Sequence, residues 1–229
     1  QIRLLVEEGF NFLSLEELFN YWQNNISPLE KSIVISFDDG HHSNFNLALP
    51  ILLKYGVKAT FFVIADNVGQ PYYLSEEQLQ NMSEKGMEIG SHGLNHAYLP
   101  ELTDEQAYFE ITESKKLLHK ICQKEVLFFA YPGGHYSKRD KDMIKKAGYN
   151  GACSCFLGLN DKQTAPFLLK RLEIRKRIES KDFINTFKRY NILFYQVVDY
   201  IKHALRKSLG LKLYSRIRSQ LYSIYKLKR

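Results

Sequence analysis

Asp38 and Asp39 stand side by side and are followed at once by Gly40, His41 and His42, while a second pair of imidazoles sits four residues apart in Ser91-His92-Gly93-Leu94-Asn95-His96. Adjacent carboxylates repel each other and resist desolvation, so a folding argument alone gives no reason for the aspartate doublet. A divalent cation does. Two imidazoles at this spacing, where a strand runs into a turn, can converge on one ion. The spacing is common by chance and gains weight only beside a carboxylate. Two histidines with one aspartate form an open ligand set that leaves positions for water and a substrate.

The elements that must hold such a set are legible around it. Apolar and β-branched runs at 33–37, 59–64, 87–92, 126–132 and 151–155 read as strands. Helical periodicity fills the intervals at 46–56, 75–86, 103–122 and 138–148. Before them, 2–10 reads as part of an amphipathic helix, 11–13 as a short strand, and Ser14 as the cap of a helix with Glu16 and Glu17 in its first turn. Strand and helix alternating in this way predict a parallel sheet covered by helices, either a barrel or a doubly wound sheet. Asp38, Asp39, His92, His96 and the Tyr131-Pro132-Gly133-Gly134 turn all fall at carboxyl ends of strands, where such folds collect chemistry. A barrel-like closure would bring them to one mouth.

At 229 residues the chain suits one large α/β domain, or one domain with a tail. Its three cysteines do not form a disulfide framework, and Cys122, Cys153 and Cys155 are expected as buried thiols. No apolar run approaches a membrane span and no signal-peptide pattern opens the chain. Because the first helix lacks a capping residue, the sequence reads as cut from something longer. The net charge of +7 is uneven, with 17 Lys/Arg against 4 Asp/Glu over 170–229 and 15 against 21 before that. Leu205, Leu209, Leu213, Ile217, Leu221 and Ile224 recur at near-helical spacing in the basic part. Such a helix could lie on an anionic membrane surface, or pack on its own domain with a solvated basic face. We therefore divide the chain into a domain at 1–190 and a basic helical tail at 191–229.

The strings Phe37-Asp38-Asp39-Gly40, 59–63, 91–96 and 129–134 together resemble the NodB-homology polysaccharide deacetylases, over about residues 33–155. The resemblance implies a distorted (β/α) barrel and metal-dependent removal of acetyl groups from N-acetylated sugars. It implies Asp38 as general base and Asp39, His92 and His96 as ligands of one divalent ion, zinc first and cobalt, nickel, iron or manganese as alternatives. An acetylated glycan is the expected partner and a nucleic acid is not. The expected location is the bacterial cytoplasm or envelope.

Two departures stand out. Better-known members carry an arginine two residues before the proline of the third motif, where this chain has Ala130, and a late Leu-His pair that supplies the general acid. Leu118-His119 falls inside a helical pattern and His203 in the basic tail. The phrase at 9–18 is similar to the circularly permuted branch that includes poly-N-acetylglucosamine deacetylases. That similarity implies an acid histidine just before Gln1, with His135 in reserve, and poor amide turnover without it. It also implies that Arg171, in Lys170-Arg171-Leu172, replaces the missing arginine. His41 and His42 are weighed as lining residues, and Tyr131 with the two glycines as partners of an oxyanion. Tyr131 fits a packed aromatic equally well. An O-acetyl esterase and a carbohydrate-binding pseudoenzyme are the competing readings.

Overall fold

The computed structural model describes residues 1–174, 180–187, 192 and 197. Five strands, β3 (Ser36–Phe37), β4 (Thr60–Val63), β5 (Glu88–Ser91), β6 (Phe128–Ala130) and β7 (Gly151–Cys153), form one sheet in chain order with every pair parallel. The crossovers carry α3 (Leu49–Lys54), α4 (Glu76–Glu84), α5 (Asp104–Cys122) and α6 (Lys138–Lys146). Parallel neighbours require such crossovers, and each returns the chain so that all five carboxyl ends lie on one edge. This is the (β/α) barrel type of fold. Two further strands, β1 (Asn11–Leu13) and β2 (Ser32–Val34), pair in parallel as a separate ladder.

The apolar run at 33–37, expected as one strand, is divided between these two sheets. Val34 closes the ladder with β1, Ile35 offers its carbonyl to the Thr60 N–H at 2.9 Å, and Ser36 opens the ladder with β4. The chain changes partners here, and the hydrophobic pattern does not register it. The helix expected over 46–56 likewise begins as a wide π-turn, Asn44–Ala48, before α3. Pro50 lies in the first turn of α3, where its missing N–H costs no helical bond.

Alternate residues of the buried strands serve two packing layers. Phe61, Val63, Ile89 and Phe129 join Leu79, Ile111, Leu118 and Ile144 beneath the crossover helices. Phe62, Phe128, Ala130 and Cys153 face the other way, against Leu15 and Phe19 of α2 (Leu15–Gln23) and against Leu169. Side chains project to both faces of a strand, and because both faces are covered the sequence runs apolar without alternation.

Helix starts are strongly specified. Ser14, Ser75, Thr103 and Ser137 each accept the N3 amide on the side-chain oxygen and donate their own N–H to the N3 side chain, completing capping boxes at α2, α4, α5 and α6. Each such cap contributes about 1 kcal/mol. Helix α2 has a second anchor: the Glu88 carboxylate, at the amino end of β5, accepts the N–H groups of Leu15 (3.1 Å) and Glu16 (2.9 Å) and the Thr60 hydroxyl.

A short helix at Ile2–Glu7 (α1) precedes β1, and α7 (Ser180–Thr186) follows the sheet. No described helix is long and apolar enough to cross a membrane. The segment 191–229, read above as a basic tail, lies outside the described residues apart from Ile192 and Val197.

Candidate functional site

Asp38 and Asp39 follow the last residue of β3, and the turn that carries them is tight. Asp39 (φ 73°) and Gly40 (φ 75°) are both left-handed, and a Cβ on Gly40 would lie 2.9 Å from Val63 Cγ1. Only glycine fits there. Two strands along the sheet, β5 delivers His92, and a turn through Gly93 (φ 82°) brings back His96, itself left-handed at φ 65°. His92 Nε2 lies 3.6 Å and His96 Nε2 3.8 Å from Asp39 Oδ1, and one ligand atom from each of the three residues falls within 4.8 Å of the others.

This donor set fits a divalent ion. Two ligands each about 2.1 Å from one ion at a tetrahedral angle stand about 3.4 Å apart, close to the observed separations. His92 is 3% exposed, and its Nδ1–H donates to the Ala130 carbonyl at 2.8 Å, which leaves the Nε2 lone pair facing Asp39. Burial pushes the His92 pKa below the ordinary imidazole value, against the opposing pull of Asp38 and of the Ala130 bond. A neutral ring is the ligating form. Asp39 and His96 are partly open to solvent.

Asp38 is not in the triad. Its carboxylate is gripped by Arg171, Nη1 to Oδ1 at 2.7 Å and Nη2 to Oδ2 at 2.9 Å. Burial alone would raise the Asp38 pKa. The charge and hydrogen bonds of Arg171, with His92 and His96 adding to them, outweigh burial and hold it below the usual carboxylate value. The same pairing raises Arg171 against its own burial. The arginine reaches this place because Leu169 bridges to Cys153 beside β7 and the Arg171 N–H donates to Phe156. Its Nε donates to the Ser154 carbonyl and its guanidinium lies 5.7 Å from the centre of the Phe62 ring. Ala130 packs in the same layer as Phe62 and Leu169, the layer whose Phe62 ring faces the Arg171 guanidinium.

Tyr131 is placed differently from its reading as an oxyanion partner. Its side chain is fully buried, the hydroxyl donates to the Phe167 carbonyl at 3.1 Å, and its N–H donates to Cys153. Burial, with Asp140 and Tyr136 nearby, pushes the hydroxyl pKa far up. It is a core aromatic with a satisfied polar end. Gly134 gives its N–H to the Tyr131 carbonyl. Cys155 is exposed rather than buried, because it lies beyond the last ladder residue of β7; Cys122 and Cys153 are buried.

Among the described residues the other histidines stay outside the triad. His41 stacks on Tyr73 and His42 bonds the Tyr72 carbonyl. His135 packs on Tyr98 with ring centres 4.8 Å apart, His119 is exposed on α5 beside Lys124, and His203 lies outside the described residues. Sequence reasoning passed over Glu110, buried on α5 at 5% exposure with its Oε2 on the amides of Leu94 and Asn95. Its signal was available, since Ala107, Glu110, Ile111, Ser114 and Leu118 share the buried stripe of that helix and an acid is out of place there.

Residues 25–152 match the sequence family described as polysaccharide deacetylase. The chain belongs to that family. It is 37% identical to the peptidoglycan-N-acetylglucosamine deacetylase of Bacillus cereus over 52% of this chain and 54% of that protein. It is 30% identical to the poly-beta-1,6-N-acetyl-D-glucosamine N-deacetylase of Staphylococcus aureus, over 65% of this chain and 56% of that one. The chain thus spans about half the length of these curated relatives. The Streptococcus pyogenes deacetylase PplD, solved in complex with acetate, superposes with a TM-score of 0.77 at 28% identity, over 81% of this chain and 83% of that chain. Members of the deacetylase family are metal-dependent, and Asp39, His92 and His96 are able to hold the ion.

Proposed function

We propose that the chain is a metal-dependent N-deacetylase acting on N-acetylglucosamine units of a bacterial surface glycan, with Asp39, His92 and His96 as the ligands, zinc as the ion and Asp38 as the general base. One observation carries this reading: a carboxylate held ionised by a bidentate arginine stands immediately beside an Asp-His-His triad, on loops at one edge of the sheet. A divalent ion bound there supplies a Lewis acid for the acetyl oxygen and lowers the pKa of water.

The side chains do the rest. Arg171 occupies one lone pair on each Asp38 oxygen, and the remaining lone pairs can accept a proton from water as its oxygen adds to the acetyl carbon. Because Arg171 also fixes the plane of the carboxylate, the base is aimed and not merely charged. The C–N bond then breaks with the electron pair going to nitrogen, the proton that Asp38 took from water is delivered to that nitrogen, and the products are acetate and a free amine with Asp38 again charged. Asp38 in its charged form is an acceptor only.

The relatives support a glycan substrate, and action at the cell envelope is part of the same proposal. The pseudoenzyme reading is the weaker one, since Asp39, His92 and His96 lie within ligating reach of one another and the neighbouring Asp38 is held by Arg171. The test is acetate release by the protein from a β-1,6-linked N-acetylglucosamine oligomer, from a peptidoglycan glycan strand and from an O-acetylated glycan. Release from an N-acetylated polymer with little from the O-acetylated one supports the proposal. Release from the ester alone would establish an esterase, and release from none would leave a binding protein.

A further inference from the structure

His92 and His96 are held by different devices. The ring of His92 is oriented directly, through its Nδ1 bond to Ala130. Among the described residues no such acceptor faces Nδ1 of His96, and this ring is set instead by the backbone that carries it, which has a left-handed φ of 65° at His96 itself. A non-glycine residue keeps that conformation only when its surroundings over-determine it.

The surroundings do so from buried side chains. Glu110 Oε2 accepts two successive amides, Leu94 N–H at 3.0 Å and Asn95 N–H at 3.1 Å. The amide before them, Gly93 N–H, goes to Ser91 Oγ at 3.2 Å. Ser91 lies 2.8 Å from Ser114 Oγ, and Ser114 donates to the Ile111 carbonyl at 3.0 Å, so Ser91 is the donor between the two hydroxyls. On the other side, the carbonyls of Gly93 and Leu94 accept the N–H groups of Ala65 and Asp66. Three consecutive donors and two acceptors of the span between the histidines are therefore fixed, two of the donors by one carboxylate oxygen. Glu110 is buried and touches neither histidine ring in any hydrogen bond among the described residues.

We infer that Glu110 is a positioning residue for the metal centre: by accepting the Leu94 and Asn95 amides it holds His96 in ligating geometry and so sets the affinity for the divalent ion. The inference rests on the metal-site reading proposed above. Charge and reach separate cleanly at this position. Glu110→Gln keeps an oxygen at the same distance and loses the charge, whereas Glu110→Asp keeps the charge and withdraws the oxygen by about 1.5 Å, one C–C bond.

The experiment is the dissociation constant of the full chain for zinc, measured by competition with a chromogenic chelator, together with melting of each metal-free protein. Glu110→Asp should weaken zinc binding about 10–100-fold, the usual effect of losing a partner that orients a ligand. Glu110→Gln should stay within about threefold, as expected if an acceptor at the right distance suffices. Ile111→Val, a buried apolar change on the same helix, provides the reference for a purely structural effect, lowering the melting temperature of the metal-free protein without weakening zinc. Three results would overturn the inference: Glu110→Asp binding zinc like the parent, Glu110→Gln losing as much as Glu110→Asp, or affinity across all three variants following metal-free stability. A parent chain that binds no divalent ion would instead overturn the metal reading beneath it.

Discussion

Arg171 and Asp38 meet across 133 residues of chain in a fork-to-fork pair, each guanidinium nitrogen on its own carboxylate oxygen at 2.7 and 2.9 Å. On the proposed reading of Asp38 as the base, the pair fixes its orientation and favours its charged form. Replacing Arg171 with Met removes the charge and the hydrogen bonds that outweigh burial, so the Asp38 pKa rises. In the parent, Asp38 remains ionised below its ordinary value of 3.8. In the variant the acid limb of kcat/KM moves to higher pH, and kcat at neutral pH falls about 100-fold, the scale of a misplaced catalytic group. Arg171→Lys restores charge without the fork, so it recovers the pH limb better than the rate. An unchanged acid limb in Arg171→Met would remove Arg171 from the account.

Asp38→Asn keeps the ligand set intact and deletes the proton acceptor. Metal content should match the parent while acetate release falls about 10²–10⁴-fold, the typical contribution of a general base. Loss of metal alongside activity would instead make Asp38 a ligand.

Tyr131→Phe tests the corrected reading of that residue. The hydroxyl ties down the Phe167 carbonyl inside the protein, so its removal should cost about 1 kcal/mol in a urea unfolding curve with turnover nearly unchanged. A hundredfold loss of kcat at unchanged stability would return Tyr131 to the chemistry.

Much of this centre was legible in the sequence because it depends on residue types at strand ends. The aspartate doublet and the imidazole pair are recognisable locally, Arg171 only through the family resemblance, and apolar runs placed β4 to β7 to within two residues. Other features were not local. The division of 33–37 between two sheets depends on which neighbour each residue pairs with. Tyr131 sits in a motif that suggests chemistry, and only the packing of the 166–168 turn against it shows where its hydroxyl goes. Glu110 was readable as an acid on a buried stripe, but its target, a pair of amides on another loop, was not.

Glu88 gives a prediction about stability and pH. Burial raises its folded pKa above the ordinary 4.5, although Thr60 and the two α2 amides pull it down. A raised carboxyl contributes stability that is fully present below the unfolded pKa and is lost as pH rises through the folded one. The stability of the parent relative to Glu88→Gln should therefore shrink as pH rises from about 4.5 to neutrality, measured from urea midpoints at each pH. A difference that grew over that range would show a depressed pKa instead.

Zinc titrated into chelator-stripped protein, with acetate release from a β-1,6-linked N-acetylglucosamine oligomer followed at each addition, tests the central claim most directly. Activity should start near zero, rise in proportion to bound zinc and level off at about one ion per chain, as a single three-residue ligand set predicts, and His92→Ala should neither bind the ion nor respond to it. Full activity in the stripped protein, or an unaltered titration in His92→Ala, would contradict a centre built on Asp39, His92 and His96.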